Sequence, residues 1–307
     1  MTYPLARSFP RPVERPCTAA TLLAANRIAA QETSGDLRTL VRWVAAPDHA
    51  VAGSLVFFQG QVTSVPAGIV AVTARPVALT AGCCIVTDDP RRWFVEAVGQ
   101  LFPAPAPEVS ETAIVAASAR IAANVSIGPF SVIGEHVEIG EGTRIGSHVT
   151  IHDRSRIGRS CTVQDHTAIG SSGVAYYRDA GEEWYALQHL GIVEIGDRVE
   201  IGAHCVVVRG ILHDTVIEHG VKIGNFVNIG HNSTLGRNAW ITSGAVVCGR
   251  VTLGEDVQVA AGACVRDKIT IGNRSRIGMG AVVTKNIAAD SRIFGNPGRS
   301  LATMRSF

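Results

Sequence analysis

Residues 223–236 read IGNFVNIGHNSTLG and set one histidine, His231, among three asparagines, Asn225, Asn228 and Asn232. An imidazole titrates near pH ~6.5, so around neutrality it can take a proton from a nucleophile and hand it on. Carboxamides beside such a ring can orient it or hydrogen-bond sugar hydroxyls. A second pattern pairs His148 with His166, eighteen residues apart. Two such imidazoles could begin a zinc site, with zinc–nitrogen bonds of ~2.0–2.1 Å, although no acidic residue or third histidine accompanies them. The seven cysteines (17, 83, 84, 161, 205, 248 and 264) are odd in number and never spaced as Cys-x-x-Cys. They read as reduced, mostly buried small side chains of a cytoplasmic protein rather than as a zinc knuckle.

The elements that must position these residues follow from a six-residue period. Val115, Ile121, Ile127, Ile133, Ile139, Ile145, Ile151, Ile157, Val163 and Ile169 are evenly spaced, and eight of the ten are followed by Ala or Gly. The period resumes at Ile195, Ile201 and Val207, slips, and runs again from Ile217 to Val283. Six matches neither a helix nor a simple strand alternation; it predicts a solenoid in which each hexapeptide is one short strand and a corner. Branched aliphatics then point inward and stack at the ~4.8 Å spacing of adjacent strands. A small neighbour relieves crowding at each corner. The 6% aromatic content fits a prism with little room for rings.

Two segments lie outside the period. Residues 1–105 predict a small α/β domain: GSLVFF, GIVAVTA and CCIVT read as strands. In DDPRRWFVEAVGQLF, Asp88 or Asp89 caps a helix with Pro90 in its first turn and Phe94, Ala97, Val98 and Leu101 on one face. LFPAPAPE reads as a linker. The solenoid then spans 106–290, interrupted by a loop at 170–194 that holds three of the four tyrosines, and a tail covers 291–307. Insertions in solenoids leave on one face, often the binding face, so Tyr176, Tyr177, Trp184, Gln188 and His189 are candidate substrate contacts.

The near-neutral charge of +2 gives no reason to expect nucleic acid or an anionic membrane as partner. The start, MTYPLARSFPRPVERPC, is broken by proline and arginine and carries neither a signal peptide nor a membrane span.

The repeat resembles the hexapeptide-repeat family, which implies a left-handed parallel β-helix preceded by the small α/β domain. The stretches GSSGVAYYRDAGEEWYALQHLGIVEIGDRVEIGA (170–203) and HDTVIEHGVKIGNFVNIGHN (213–232) are similar to the UDP-3-O-acylglucosamine N-acyltransferases of lipid A synthesis. That resemblance implies a homotrimer and acyl transfer from a carrier-protein thioester to the amine of a UDP-sugar. It makes His231 the catalytic base and Gly249, about one coil above, the oxyanion N–H donor, with Asn225, Asn228 and Asn232 on the catalytic turn. Three features depart from that family. Leu55–Phe58 is followed by Gln59-Gly60-Gln61-Val62-Thr63 in place of an Asn-Pro-Lys-Tyr element, Gly224 stands where an Asp precedes the Asn, and no helical tail follows.

The ending GMGAVVTKNIAADSRIFGNPGRSL (278–301) instead resembles coenzyme-A-dependent sugar acetyltransferases. This makes Lys285, Asn296, Pro297 and Arg299 candidate donor contacts, with acyl-coenzyme A or acyl carrier protein as co-substrate and no tightly bound cofactor. Other readings are an O-acetyltransferase acting on a sugar hydroxyl, a metal-dependent enzyme like the γ-class carbonic anhydrases, and a purely structural trimerisation stalk.

Overall fold

The computed structural model describes residues 10–60 and 65–295. The chain divides into two compact units, residues 1–106 and 107–307.

The first unit is a six-stranded sheet with two helices. Its elements are β1 (Arg11–Thr18), α1 (Ala19–Ala25), β2 (Glu32–Gly35), β3 (Leu40–Val44), β4 (Ser54–Phe57), β5 (Ile69–Thr73), β6 (Gly82–Val86) and α2 (Pro90–Leu101). The strand order is β1-β3-β4-β5-β6-β2, with β3 to β6 parallel and both edge strands antiparallel. Asp89 caps α2 by accepting from the Arg92 N–H at 3.0 Å, and Pro90 occupies the first turn, where a missing N–H costs nothing. The buried face of α2 is Trp93, Ala97 and Leu101. Sequence reading put Phe94 and Val98 on that face; both are half-buried, because the stripe is centred on the large indole of Trp93.

In the second unit the hexapeptides contribute strands of two to four residues to one of three parallel sheets. The first face has nine strands from Ile114–Val115 to Val282–Val283, the second eight from Arg120–Ile121 to Thr270–Ile271, and the third nine from Ser126–Ile127 to Arg292–Ile293. Each aliphatic pairs with its equivalent one coil on, as Ile133 does with Ile151 and Ile229 with Val247. Together they form one continuous core, each inward Ile or Val contributing about 1.5–3 kcal/mol by burial.

Buried hydroxyls inside the prism are satisfied by corner carbonyls: Ser131 donates to Gly146 O at 2.8 Å and Thr167 to Gly202 O at 2.7 Å. Where a glycine follows an inward aliphatic, it answers to close approach between coils. A Cβ on Gly230 would lie 2.5 Å from the Cys248 carbonyl carbon, which no side chain can accept.

The outward positions differ by face. On the second and third faces they carry ion pairs, Arg156–Glu194 at 2.8 Å and Lys222–Glu200 at 2.7 Å among them. On the first face they are Ile114, Val132, Thr150, Ala168, Val206, Asn228, Val246, Cys264 and Val282, an uncharged ladder.

Candidate functional site

His231 stands on the corner between the first and second faces, in the turn from Asn228–Ile229 to Thr234–Leu235. Both interruptions of the period leave from this same edge. The long loop departs after Ala168–Ser171, and the short slip after Val206–Val208 is the Arg209–Asp214 bend. The fold thus gathers residues 171–190, 209–214 and 231–232 on one edge.

Asn232 fixes the imidazole. Its Oδ1 accepts from the Ile211 N–H at 3.1 Å, which establishes which amide atom is oxygen, and the same Oδ1 lies 2.9 Å from His231 Nδ1. Nδ1 must therefore carry the proton, and Nε2 is left with its lone pair. The Asn232 Nδ2 donates to the His213 carbonyl, its backbone N–H donates to Thr215 Oγ1 at 2.9 Å, and that hydroxyl donates to Val208 O at 2.7 Å. Both polar atoms of the Asn232 side chain bond within the turn. Asn232 positions the base, and one Nδ2 N–H remains without a partner among the described residues on the lining of the adjoining cleft.

His231 Nε2 lies over Gly249. A Cβ there would stand 2.5 Å from Nε2 and 2.8 Å from Cε1, so the ring occupies space that only glycine leaves open. At the same position of other hexapeptides the backbone N–H is taken by an Asp or Asn one coil on: Glu135, on this edge, donates to Asp153 and Ala203, on another, to Asn225, both at 2.9 Å. Asp267 holds that position above Gly249, yet no described residue accepts from the Gly249 N–H. The base nitrogen and an uncommitted N–H donor are neighbours.

The remaining candidates divide. Asn228 is half-buried on the first face, one strand before the corner, between Val206 and Val246. Asn225 belongs to a different edge, between the third and first faces, and its Oδ1 holds the Ala203 N–H. It is not on the turn of His231, because the two are separated by a whole hexapeptide, one side of the prism. Tyr176, Tyr177 and Trp184 lie on an antiparallel hairpin, Tyr176–Arg178 with Trp184–Ala186, and all three rings are exposed. Tyr176 meets Trp184 edge-on at 6.3 Å, and Arg178 sits over the indole.

The base of the loop forms a cleft of about 400 Å³ lined by Gly173, Tyr176, Leu187, Gln188 and His189, among others. His189 is buried and meets the His231 ring edge-to-face, centroids 5.8 Å apart. On the other side of the turn a cleft of about 470 Å³ is lined by Ile211, Leu212, His213, Asn232 and Arg250. Lys285 occupies the same corner three coils above His231, about 14 Å away at the usual strand spacing. Asn296, Pro297 and Arg299 lie outside the described residues.

Two residues absent from the sequence expectations join this edge. Arg209 donates through Nη2 to the Asp153 carbonyl, while its buried Nε has no described partner. Burial first, then Arg154, lowers the guanidinium from its usual range, with Asp153 opposing. His152 is half-buried, and burial followed by the charge of Arg209 holds it below the ordinary imidazole value, Asp153 again opposing. The signal for Arg209 was available where the period slips at 207–217, a bend into which a charged residue is carried.

His148 and His166 belong to a stack of rings that also holds a third histidine, His204. Phe130, His148, His166, His204 and Phe226 make one stack on the edge between the third and first faces, with centroids 5.1, 4.8, 4.8 and 5.0 Å apart. The two imidazoles are within 7° of parallel, so their ring nitrogens point along parallel planes and do not converge on a point. Among the described residues no group of three or more His, Cys, Asp or Glu side chains is arranged to hold a metal ion. No described helix is long and apolar enough to cross a membrane.

Comparison with known proteins bears on this edge. The bacterial transferase hexapeptide model (six repeats) matches residues 118–153 and 250–285. The UDP-3-O-acylglucosamine N-acyltransferase of Delftia acidovorans is 44% identical over 216 residues, 66% of this chain and 64% of that protein. The protein of the same name from Albidiferax ferrireducens is 40% identical over 233 residues, 72% of this chain and 70% of the relative. For Verminephrobacter eiseniae the matched share of the relative falls to 56%, so the chain spans less than two thirds of some of these proteins. Among solved structures, LpxA from Acinetobacter baumannii superposes with a TM-score of 0.55 at 28% identity, covering 62% of this chain and 71% of that one. A UDP-N-acetylglucosamine acyltransferase from Campylobacter jejuni, at 18% identity and a TM-score of 0.54 over 60% of this chain and 70% of its own, shares the fold. With its left-handed parallel β-helix and a relative matched over 70% of its length, the chain belongs to the UDP-3-O-acylglucosamine N-acyltransferase family of hexapeptide-repeat proteins.

Proposed function

We propose that the chain is an acyltransferase that moves an acyl group from a thioester donor to the amine of a nucleotide-linked amino sugar, with His231 as general base. The observation that carries this reading is the pairing of a bare His231 Nε2 with the uncommitted Gly249 N–H, since acyl transfer needs both a proton acceptor and an oxyanion donor. The amine attacks the thioester carbonyl, its proton passes to Nε2, and the carbonyl oxygen gathers charge against the Gly249 N–H. Collapse of the tetrahedral centre expels the thiolate, which takes the proton from the imidazolium. Asn232 Oδ1 supports the charged ring through Nδ1–H throughout. The cleft at the loop base and the one at Ile211–Arg250 flank this centre and are assigned to the two substrates.

The donor is acyl-coenzyme A or acyl carrier protein, and Lys285, a described cation on the same edge, is assigned to its phosphates. The uncharged first face, with Ile114 66% and Val282 62% exposed, is the surface we assign to homotrimer contacts. The test is product mass. Purified protein is offered UDP- and dTDP-linked amino sugars with acetyl-coenzyme A, longer acyl-coenzyme A or 3-hydroxyacyl carrier protein, each beside His231→Ala. An acyl mass gain absent from the variant supports the reading; equal product from the variant removes His231 from the mechanism.

A further inference from the structure

His189 is built in the same way as the base it faces. Its side chain is 7% exposed, and its Nε2 is buried with no hydrogen-bond partner among the described residues. With Nε2 unpartnered, we place the ring proton on Nδ1, the nitrogen left for the Leu187 carbonyl. A neutral imidazole so held presents a bare Nε2, as His231 does. Nothing in the fold requires this. A buried acceptor without a donor is a cost of about 1–3 kcal/mol, and a leucine would fill the space without it.

Gly173 packs beside Nε2: a Cβ there would lie 3.2 Å from Nε2 and 2.7 Å from Val208 Cγ1, so only glycine fits against this nitrogen. His189 also lines the cleft at the loop base, and its ring stands edge-to-face to His231 at 5.8 Å. Two bare imidazole nitrogens therefore serve one site, only one of which the transfer consumes.

We propose that His189 reads the acceptor: its Nε2 takes a hydrogen bond from an O–H or N–H donor of the sugar bound beside His231, an assignment that rests on the reaction proposed above. His189 stays neutral while His231 cycles. Burial first, and then the charge of His231, hold the His189 imidazole below its usual range, Arg209 adding to the fall and the Leu187 carbonyl opposing it. The acceptor site thus prefers a sugar carrying a donor next to the reacting group over one in which that group is removed or alkylated, since the latter leaves a buried lone pair unmet.

The test uses the full chain, UDP-3-O-acylglucosamine as the acceptor probe, and two variants. His189→Phe keeps the ring and removes the acceptor; His189→Gln restores an acceptor on a different frame. Loss of one such bond should raise the acceptor KM about tenfold in His189→Phe, with kcat within about threefold and partial recovery in His189→Gln. The calorimetric Kd for the same sugar should move with KM. Independently of turnover, 15N-histidine spectra of the free protein should show His189 with Nδ1 protonated and Nε2 bare, and only the latter should shift when the sugar is added. Unchanged KM and Kd in a folded His189→Phe, or an Nε2-protonated ring, overturns the proposal. If the wild type binds the sugar but transfers nothing to it, the reaction fails while tenfold weaker binding by His189→Phe still supports His189. If the wild type does not bind the sugar at all, both fall.

Discussion

Asn232 Oδ1 lies 2.9 Å from His231 Nδ1 and accepts the Ile211 N–H as well, so one carboxamide oxygen sets the tautomer of the base and ties it to the bend at Arg209–Asp214. The order of dependence is clear. Asn232 is a left-handed residue (φ 57°) pinned by Thr215 and His213, and the imidazole inherits its position from that scaffold.

Asn232→Ala should therefore lower kcat by about 10- to 100-fold, as for other groups that orient a functional side chain, while the acceptor KM stays within about threefold. The variant also leaves the Ile211 N–H without its partner, so its Tm should drop. Asn232→Asp, which keeps the oxygen, should recover much of kcat. Steady-state kinetics beside thermal melts separate the two effects. A variant with unchanged kcat would mean that the ring is held by something else.

Gly249→Ala is expected to act on catalysis with little effect on the prism. The new methyl would meet the His231 ring at 2.5–2.9 Å, so the imidazole must turn away from its carboxamide anchor. A fall in kcat of about 100-fold or more, in the range lost with a displaced oxyanion or base group, is the expected result. Far-ultraviolet circular dichroism should match the wild type.

Stability should decline on the acid side of neutrality. Burial lowers both His189 and His152 below the ordinary histidine range, so between those depressed values and pH ~6.5 the unfolded chain binds more protons than the folded one. Stability from these groups is complete above pH ~6.5 and is lost as the pH falls through the folded values. Urea unfolding at pH 7.5, 6.5 and 5.5 reads the slope, which His189→Gln should flatten. A slope that the substitution leaves intact would place the effect elsewhere.

The ring column of Phe130, His148, His166, His204 and Phe226 is expected to be structural. His166→Ala removes the contacts of one ring with both neighbours, each 4.8 Å away, and should cost about 1–2 kcal/mol in chemical denaturation. His166→Phe should restore most of it. Equal stability of all three proteins would show that the stacking contributes nothing.

Much of the molecule was legible because its core is one repeated decision. An aliphatic at every sixth position can be buried in register with its equivalents only by coiling the chain into a prism, so Ile133, Ile151 and Ile229 announce the fold without further information. The turn at His231 was legible for a related reason: the repeat has no use for a histidine there. The three strands Ser54–Phe57, Ile69–Thr73 and Gly82–Val86 also followed from their apolar runs, whereas Arg11–Thr18, alternating and proline-broken at an edge, did not.

Which corner each residue occupies was decided by the tertiary structure alone. Asn225 and Asn232 look like neighbours in the sequence, yet one turn of six residues moves to the next edge of the prism, so the first ties its own edge to the adjacent coil and the second holds the base. Arg209 was invisible as a site residue, and so was the contact of the candidate His189 with His231, because the coil period breaks at both insertions and counting by six no longer predicts what lies beside what. Only the folded chain shows both insertions leaving from the edge of His231 and setting a second bare imidazole against the first. The sequence determined the prism through a periodic hydrophobic pattern. The site depends on non-periodic insertions, whose contacts no local pattern encodes.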